Sequence, residues 1–148
     1  MNRHTILRTA FAAGIALSLA GCALRPSLST DIYEARLSGA QEVPPTASNG
    51  TGMAEVQLDK HTNIIRWKVT YGGLTGPARA GHIHGPAAPG QNAPILIPFA
   101  QVATQPIEGQ APLTPAQVAD LAAGKWYVNI HTAQFPAGEI RGQLVLRR

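Results

Sequence analysis

The sequence predicts an all-β domain, an antiparallel β-sandwich or Greek-key barrel carrying one short helix. Three observations predict it. Apolar and polar residues alternate with a period of two over several short runs, the spacing that sets one face of a strand on a core and the other in water. Turn-forming clusters, drawn from 15 glycines and 12 prolines, separate the runs. Only one stretch, near residue 115, carries the periodicity and end signals of a helix.

The elements follow in order. Residues 31–37 (DIYEARL) set Tyr33, Ala35 and Leu37 against Ile32, Glu34 and Arg36, a first strand. Residues 39–52 (GAQEVPPTASNGTG), dense in Pro, Ser, Asn and Gly, read as a long loop. Residues 53–59 (MAEVQLD) alternate Ala54, Val56 and Leu58 with Glu55 and Gln57. After the turn KHTN, residues 64–71 (IIRWKVTY) oppose Ile65, Trp67, Val69 and Tyr71 to Arg66, Lys68 and Thr70. The two runs predict a β-hairpin. Residues 78–85 (ARAGHIHG) form the next strand, and the Pro/Gly loop PAAPGQNAP leads to ILIPF, a short strand that Pro98 confines to a sheet edge because it has no amide hydrogen.

Thr114-Pro115-Ala116-Gln117 fits a capping box, with Pro at the first helical position and the Gln side chain reaching back to the cap. Val118, Leu121 and Ala122 then share a stripe, and Gly124 supplies a left-handed end. Residues 125–132 (KWYVNIHT) point Trp126, Val128 and Ile130 one way and Tyr127, Asn129 and His131 the other. Residues 139–146 (EIRGQLVL) close the chain as a strand with Ile140, Gly142, Leu144 and Leu146 on one side.

Ahead of these elements, Arg3, His4 and Arg8 flank an apolar run at residues 9–20 (TAFAAGIALSLA), as long as a signal-peptide core and too short to span a bilayer. Leu19-Ala20-Gly21-Cys22 resembles the bacterial lipobox, in which the Cys is acylated and becomes the first mature residue. The expected organisation is a signal peptide over 1–21, a tether over 22–30 lipidated at Cys22, and one domain over 31–148, held on a membrane by its lipid. Ala23 and Leu24 stand where an Asp would, by resemblance to the sorting rule of enteric bacteria, retain the protein in the inner membrane. The expected location is therefore the outer membrane, on its periplasmic or its surface face.

Cys22 is the only cysteine, so no disulfide is expected, and stability must come from packing, hydrogen bonds or a metal. Removing 1–21 from 148 residues leaves 127, enough for one core, with ten basic against eight acidic residues. The basic residues are scattered, which excludes a nucleic-acid footprint.

Two of the five histidines, His82 and His84, stand one residue apart in "AGHIHGP". On a strand, residues i and i+2 share a face about 6.5–7 Å apart, so both imidazoles can reach one ion at bond lengths near 2 Å. Ile83 points into the core, and Gly81 and Gly85 leave room beside the rings. His131 is the natural third ligand, because it lies opposite the apolar Trp126/Val128/Ile130 stripe. Three imidazoles without thiolate or carboxylate suit copper, with zinc second. The competing reading makes these histidines hydrogen-bonded structural residues. His61, in a turn, and His4, in the signal, lie outside the set.

"GAQEVPP", "AGHIHGPAAPGQNAPILIPF" and "WYVNIHTAQFPAGEIRGQL" resemble the CHRD domain, a module repeated in chordin and found singly in bacterial exported proteins. The resemblance runs from about residue 31 to 146 and implies a β-rich module of poorly defined biochemistry, which in chordin accompanies growth-factor binding. "GHIHG" and "YVNIHT" are also similar to the strands of copper/zinc superoxide dismutases that carry copper-ligating histidines, and "PAGEIRGQLV" to the segment whose Arg guides the anion. That likeness implies a related sandwich or barrel and gives Arg141 the part of an anion-attracting charge. Glu139, two residues before it on the same predicted face, would accept from an imidazole N–H, or the two would form a solvated face with a weak ion pair; Tyr127 and Asn129 would hydrogen-bond the ligating rings or be ordinary surface. The loop after His84 lacks both the bridging histidine and an aspartate, so no zinc site is implied and binding is expected ahead of catalysis.

Three functions are open: a lipid-anchored envelope protein that binds copper through His82, His84 and His131; an interaction or structural module without metal; and an oxidoreductase resembling superoxide dismutase. No Ser/His/Asp or Cys/His arrangement and no Gly-rich phosphate cradle competes with them.

Overall fold

A computed structural model describes residues 29–148 of the chain; the expected signal peptide and Cys22 lie outside the described residues, as does all of the expected tether but Ser29 and Thr30. The elements are β1 (Thr30–Ser38), β2 (Thr51–Asp59), β3 (Ile64–Gly72), β4 (Ala78–His84), β5 (Ile95–Pro98), β6 (Ile107–Pro112), α1 (Pro115–Ala122), β7 (Tyr127–Thr132), β8 (Ile140–Gln143) and β9 (Val145–Leu146). Every strand pair is antiparallel in one sheet ordered β5-β4-β7-β8-β1-β2-β3-β6, with β9 on β1.

The sheet curls into a nearly closed barrel. Residues far apart in strand order meet in one core, where Ile83 of β4 and Val128 and Ile130 of β7 join Val56 of β2 and Ile65 and Val69 of β3. Near the seam, Trp67 of β3 stacks on Phe99, which follows β5, at a centroid distance of 5.5 Å. Burial of each large apolar side chain contributes about 1.5–3 kcal/mol, and these side chains come from nearly every strand, so closure rather than any one hairpin holds the fold.

The predicted alternation sets the inward faces: Tyr33, Ala35 and Leu37 on β1, Ala54, Val56 and Leu58 on β2, and Ile65, Trp67 and Val69 on β3 are buried. Residue pairs from Thr51↔Gly72 to Asp59↔Ile64 run through the β2–β3 hairpin without a slip. Pro98 ends β5, which is an edge strand. The Thr114 hydroxyl accepts from the Gln117 amide, the Gln117 side chain accepts from the Thr114 amide, and Gly124 takes φ +69°. Leu121 is the buried residue of α1.

Three elements depart from expectation. β6 shows no strand signal because its inward positions are Ile107, Gly109 and Ala111; Gly109 lies under the Trp67 indole, where a Cβ would come within 2.2 Å of the ring. The last strand breaks at Leu144, whose amide donates to Trp126, and the chain turns to pair with β1. Leu146 is consequently 49 % exposed rather than inward. β1 also begins at Thr30, one residue inside the predicted tether.

A candidate three-histidine metal centre

The β4–β7 register places Ala80 opposite His131, His82 opposite Asn129 and His84 opposite Tyr127. His82 and His84 therefore share one face of β4, and His131 lies diagonally across from His82 on the neighbouring strand. The opposite face is anchored by Ile83, Val128 and Ile130, all fully buried. Gly81 belongs to that inner layer, where a Cβ would sit 2.8 Å from Ile130 and 2.9 Å from Phe99. The row continues from Asn129 to Arg141 on β8 and to Ser38 at the end of β1. The histidines thus lie near the Ser38 end of β1, eight residues or about 26 Å along the strand from Thr30, where β1 begins.

One ligand nitrogen from each of His82, His84 and His131 lies within 4.8 Å of the other two. Two nitrogens on one ion at about 2 Å each are separated by at most ~4 Å, so the widest pair has less than about 1 Å to close, within reach of a small χ rotation. His84 is buried at 8 % exposure, while His82 and His131 are half-buried and give the group an open side.

The hydrogen bonds fix the protonation pattern. Nδ1 of His84 lies 2.9 Å from the Ala93 carbonyl and Nδ1 of His131 lies 3.0 Å from the Pro136 carbonyl. A carbonyl only accepts, so Nδ1 carries the hydrogen in both rings, and in the neutral ring Nε2 then carries a lone pair. Both Nε2 atoms face Oδ1 of Asn129, at 3.1 Å and 3.0 Å, which is a further acceptor. The one ring nitrogen left to supply a hydrogen is Nδ1 of His82, 3.0 Å from Nε2 of His131. Lone pairs thus outnumber hydrogens around a common point, an arrangement that suits a cation.

Charge on the rings themselves is disfavoured. Burial, with the neighbouring His131 and His84, lowers the His82 pKa to about 4. Burial and His84 also lower that of His131, against the opposing effect of the Pro136 carbonyl. At neutral pH these two rings are neutral, the form that ligates.

The groups around the imidazoles match the sequence reading at Asn129 and depart from it at Arg141 and Glu139. Tyr127 and Asn129 are buried rather than surface residues: Asn129 contacts two of the rings, and the Tyr127 ring stacks on His84 at 4.7 Å with an interplanar angle of 2°. Arg141 is no solvent-facing anion guide. It is 2 % exposed, lies 3.4 Å over the Tyr127 ring, and donates to the Gln91 carbonyl and to Oδ1 of Asn92.

Glu139 accepts from no imidazole. Its carboxylate takes hydrogens from the Ser48 and Thr132 hydroxyls and from the amide and hydroxyl of Thr75, while the Nδ1 hydrogens of His84 and His131 go to backbone carbonyls. Burial alone would raise the Glu139 pKa, but these donors outweigh it and hold the carboxyl below its ordinary value. The i, i+2 spacing does not join the two residues at one site: Glu139 precedes β8 and binds Ser48, Thr75 and Thr132, whereas Arg141 on β8 reaches Gln91 and Asn92.

Sequence reasoning missed Glu42. Its side chain is buried against Gly138, at φ +136°, and its Oε1 has no hydrogen-bond partner among the described residues. Burial raises its pKa to about 7, opposed by Arg141 and the Val43 backbone. No local signal marks this burial, because the covering segment comes from the other end of the domain.

The CHRD domain family model matches residues 33–144. No curated protein and no solved structure matches the chain.

Proposed function

The chain belongs to the CHRD domain family, and from that footing we propose that it is a lipid-anchored envelope protein that binds one transition-metal ion, copper, through His82, His84 and His131. The observation that carries the proposal is the convergence of Nε2 of His84, Nε2 of His131 and Oδ1 of Asn129 with too few hydrogens to satisfy them. Three neutral imidazoles without thiolate or carboxylate favour copper over the harder cations, and copper stands above zinc in the general affinity order for nitrogen ligands. Bound there, copper would be stored, scavenged or kept from the envelope, and the half-buried His82/His131 side provides its entry.

Lipidation at Cys22 would attach the domain through the Thr30 end of β1, away from the histidine end. The open side would then face away from the lipid surface, toward the aqueous space of the envelope.

One observation favours a second reading, a hydrogen-bonded polar cluster in an interaction module. Turning the Asn129 amide over would present its NH2 to both Nε2 lone pairs, which satisfies the rings without an ion. Titration of the purified chain with Cu(I), Cu(II) and Zn(II) separates the two. The proposal expects one equivalent of copper bound, and loss of that site in His82→Ala; no heat and no competition with a chromophoric chelator would establish the polar cluster instead.

A further inference from the structure

We infer that Arg141, which makes no hydrogen bond to any of the three imidazoles, is the positioning residue that keeps His84 in its ligating tautomer; the inference rests on the metal-binding reading above. Arg141 acts on His84 through two contacts that meet at the same ring.

The first runs through Tyr127. β8 and β4 flank β7, so the phenol is layered between the guanidinium, 3.4 Å over its ring, and the His84 imidazole, parallel to it at 4.7 Å. A planar guanidinium on one side and an imidazole on the other hold the aromatic plane against tilting.

The second runs through residues 91–93. Arg141 donates to the Gln91 carbonyl at 2.6 Å and to Oδ1 of Asn92 at 2.9 Å, both charge-assisted bonds. The next residue, Ala93, takes the Nδ1 hydrogen of His84 on its carbonyl and gives its own amide hydrogen to the Tyr127 hydroxyl. One guanidinium therefore fixes both the plane beside His84 and the carbonyl that decides which ring nitrogen keeps the hydrogen.

Simple packing would not select this residue. The guanidinium is almost wholly buried and makes no salt bridge among the described residues, a costly arrangement that an apolar side chain of similar volume would avoid. What an apolar replacement lacks is the fork that grips residues 91 and 92 while covering Tyr127. Without it the Ala93 carbonyl is free to move, and His84 can shift its hydrogen to Nε2 and withdraw a lone pair from the metal site.

The test reads the tautomer in the metal-free chain by long-range 15N–1H correlation of the histidine rings. The wild-type chain is expected to show His84 with its hydrogen on Nδ1, and Arg141→Gln and Arg141→Lys to show a mixture, because an ammonium supplies charge without the planar fork. Should both variants fail to fold, Asn92→Ala, at an exposed residue, removes one arm of the grip and is expected to shift the same signal partway. Copper affinity of Arg141→Gln is expected to fall 10–100-fold, with pulsed EPR counting fewer coordinated imidazoles than in the wild type. A wild-type His84 protonated on Nε2, or an unchanged Nδ1–H tautomer in the folded variants, overturns the role of Arg141. Failure of the wild-type chain to bind copper overturns the metal reading instead, which the metal-free spectra distinguish.

Discussion

Nδ1 of His82 lies 3.0 Å from Nε2 of His131, across neighbouring strands and 49 residues apart in sequence. Nitrogens that share an ion at about 2 Å each lie roughly 3–4 Å apart, so this pair stands at ligating separation before any ion enters. The separation follows from strand register: with Ala80 opposite His131, the side chain two residues on from Ala80 is the diagonal neighbour.

Removal of either member of this pair leaves two imidazoles, which seldom hold copper tightly. His131→Ala is expected to lower copper affinity more than about 100-fold, beyond the 10–100-fold typical of losing a group that only supports a ligand. His61→Ala, in an exposed turn, is expected to leave it unchanged. Competition against a chromophoric chelator measures both.

The low pKa of His82 makes the metal-free fold acid-sensitive. Its folded value of about 4 lies below the ordinary 6.5, so as pH falls below 6.5 the unfolded chain takes up a proton that the folded chain refuses. Stability is therefore present above pH 6.5 and is lost as pH falls toward 4, with His131 acting in the same direction. Urea midpoints of the metal-free chain should be lower at pH 5 than at pH 7.5, and His82→Ala should flatten that slope.

Glu42 acts in the opposite sense. A carboxyl raised from 4.5 to about 7 by burial stabilises fully below pH 4.5, and that contribution is lost as pH rises to 7. Glu42→Gln removes the cost of ionising a buried carboxyl, at most about 3 kcal/mol. The variant should gain stability at pH 8 and differ little from wild type at pH 4.5, as read by denaturant unfolding.

Glu139 gathers three segments rather than tuning the rings: Ser48 from the loop before β2, Thr75 from the turn before β4, and Thr132 at the end of β7 all donate to it. Glu139→Ala leaves these donors without their acceptor and should cost about 3 kcal/mol or more. Copper stoichiometry, measured under conditions where the variant is folded, should stay at one.

Where a single strand carries its own information, the sequence displays it. The alternation of Ile65, Trp67 and Val69, the Thr114/Gln117 capping box and the i, i+2 pair His82/His84 each follow from local periodicity or local hydrogen bonding, and all three hold in the fold. The meeting of His131 with that pair was legible only as a shared face, since register is set by strands far apart in sequence. What was not legible belongs to contacts across the barrel. β6 is hidden because Trp67 fills the space over Gly109, and Glu42 is buried by the loop at Gly138. Arg141 is turned from solvent by residues 91 and 92.

X-ray absorption of the copper-loaded chain tests the central claim most directly. Three imidazole nitrogens at about 2 Å, falling to two in each of His82→Ala, His84→Ala and His131→Ala, is the predicted result. A spectrum that shows fewer than three imidazoles in the wild type, or one that the three substitutions leave unchanged, would contradict it.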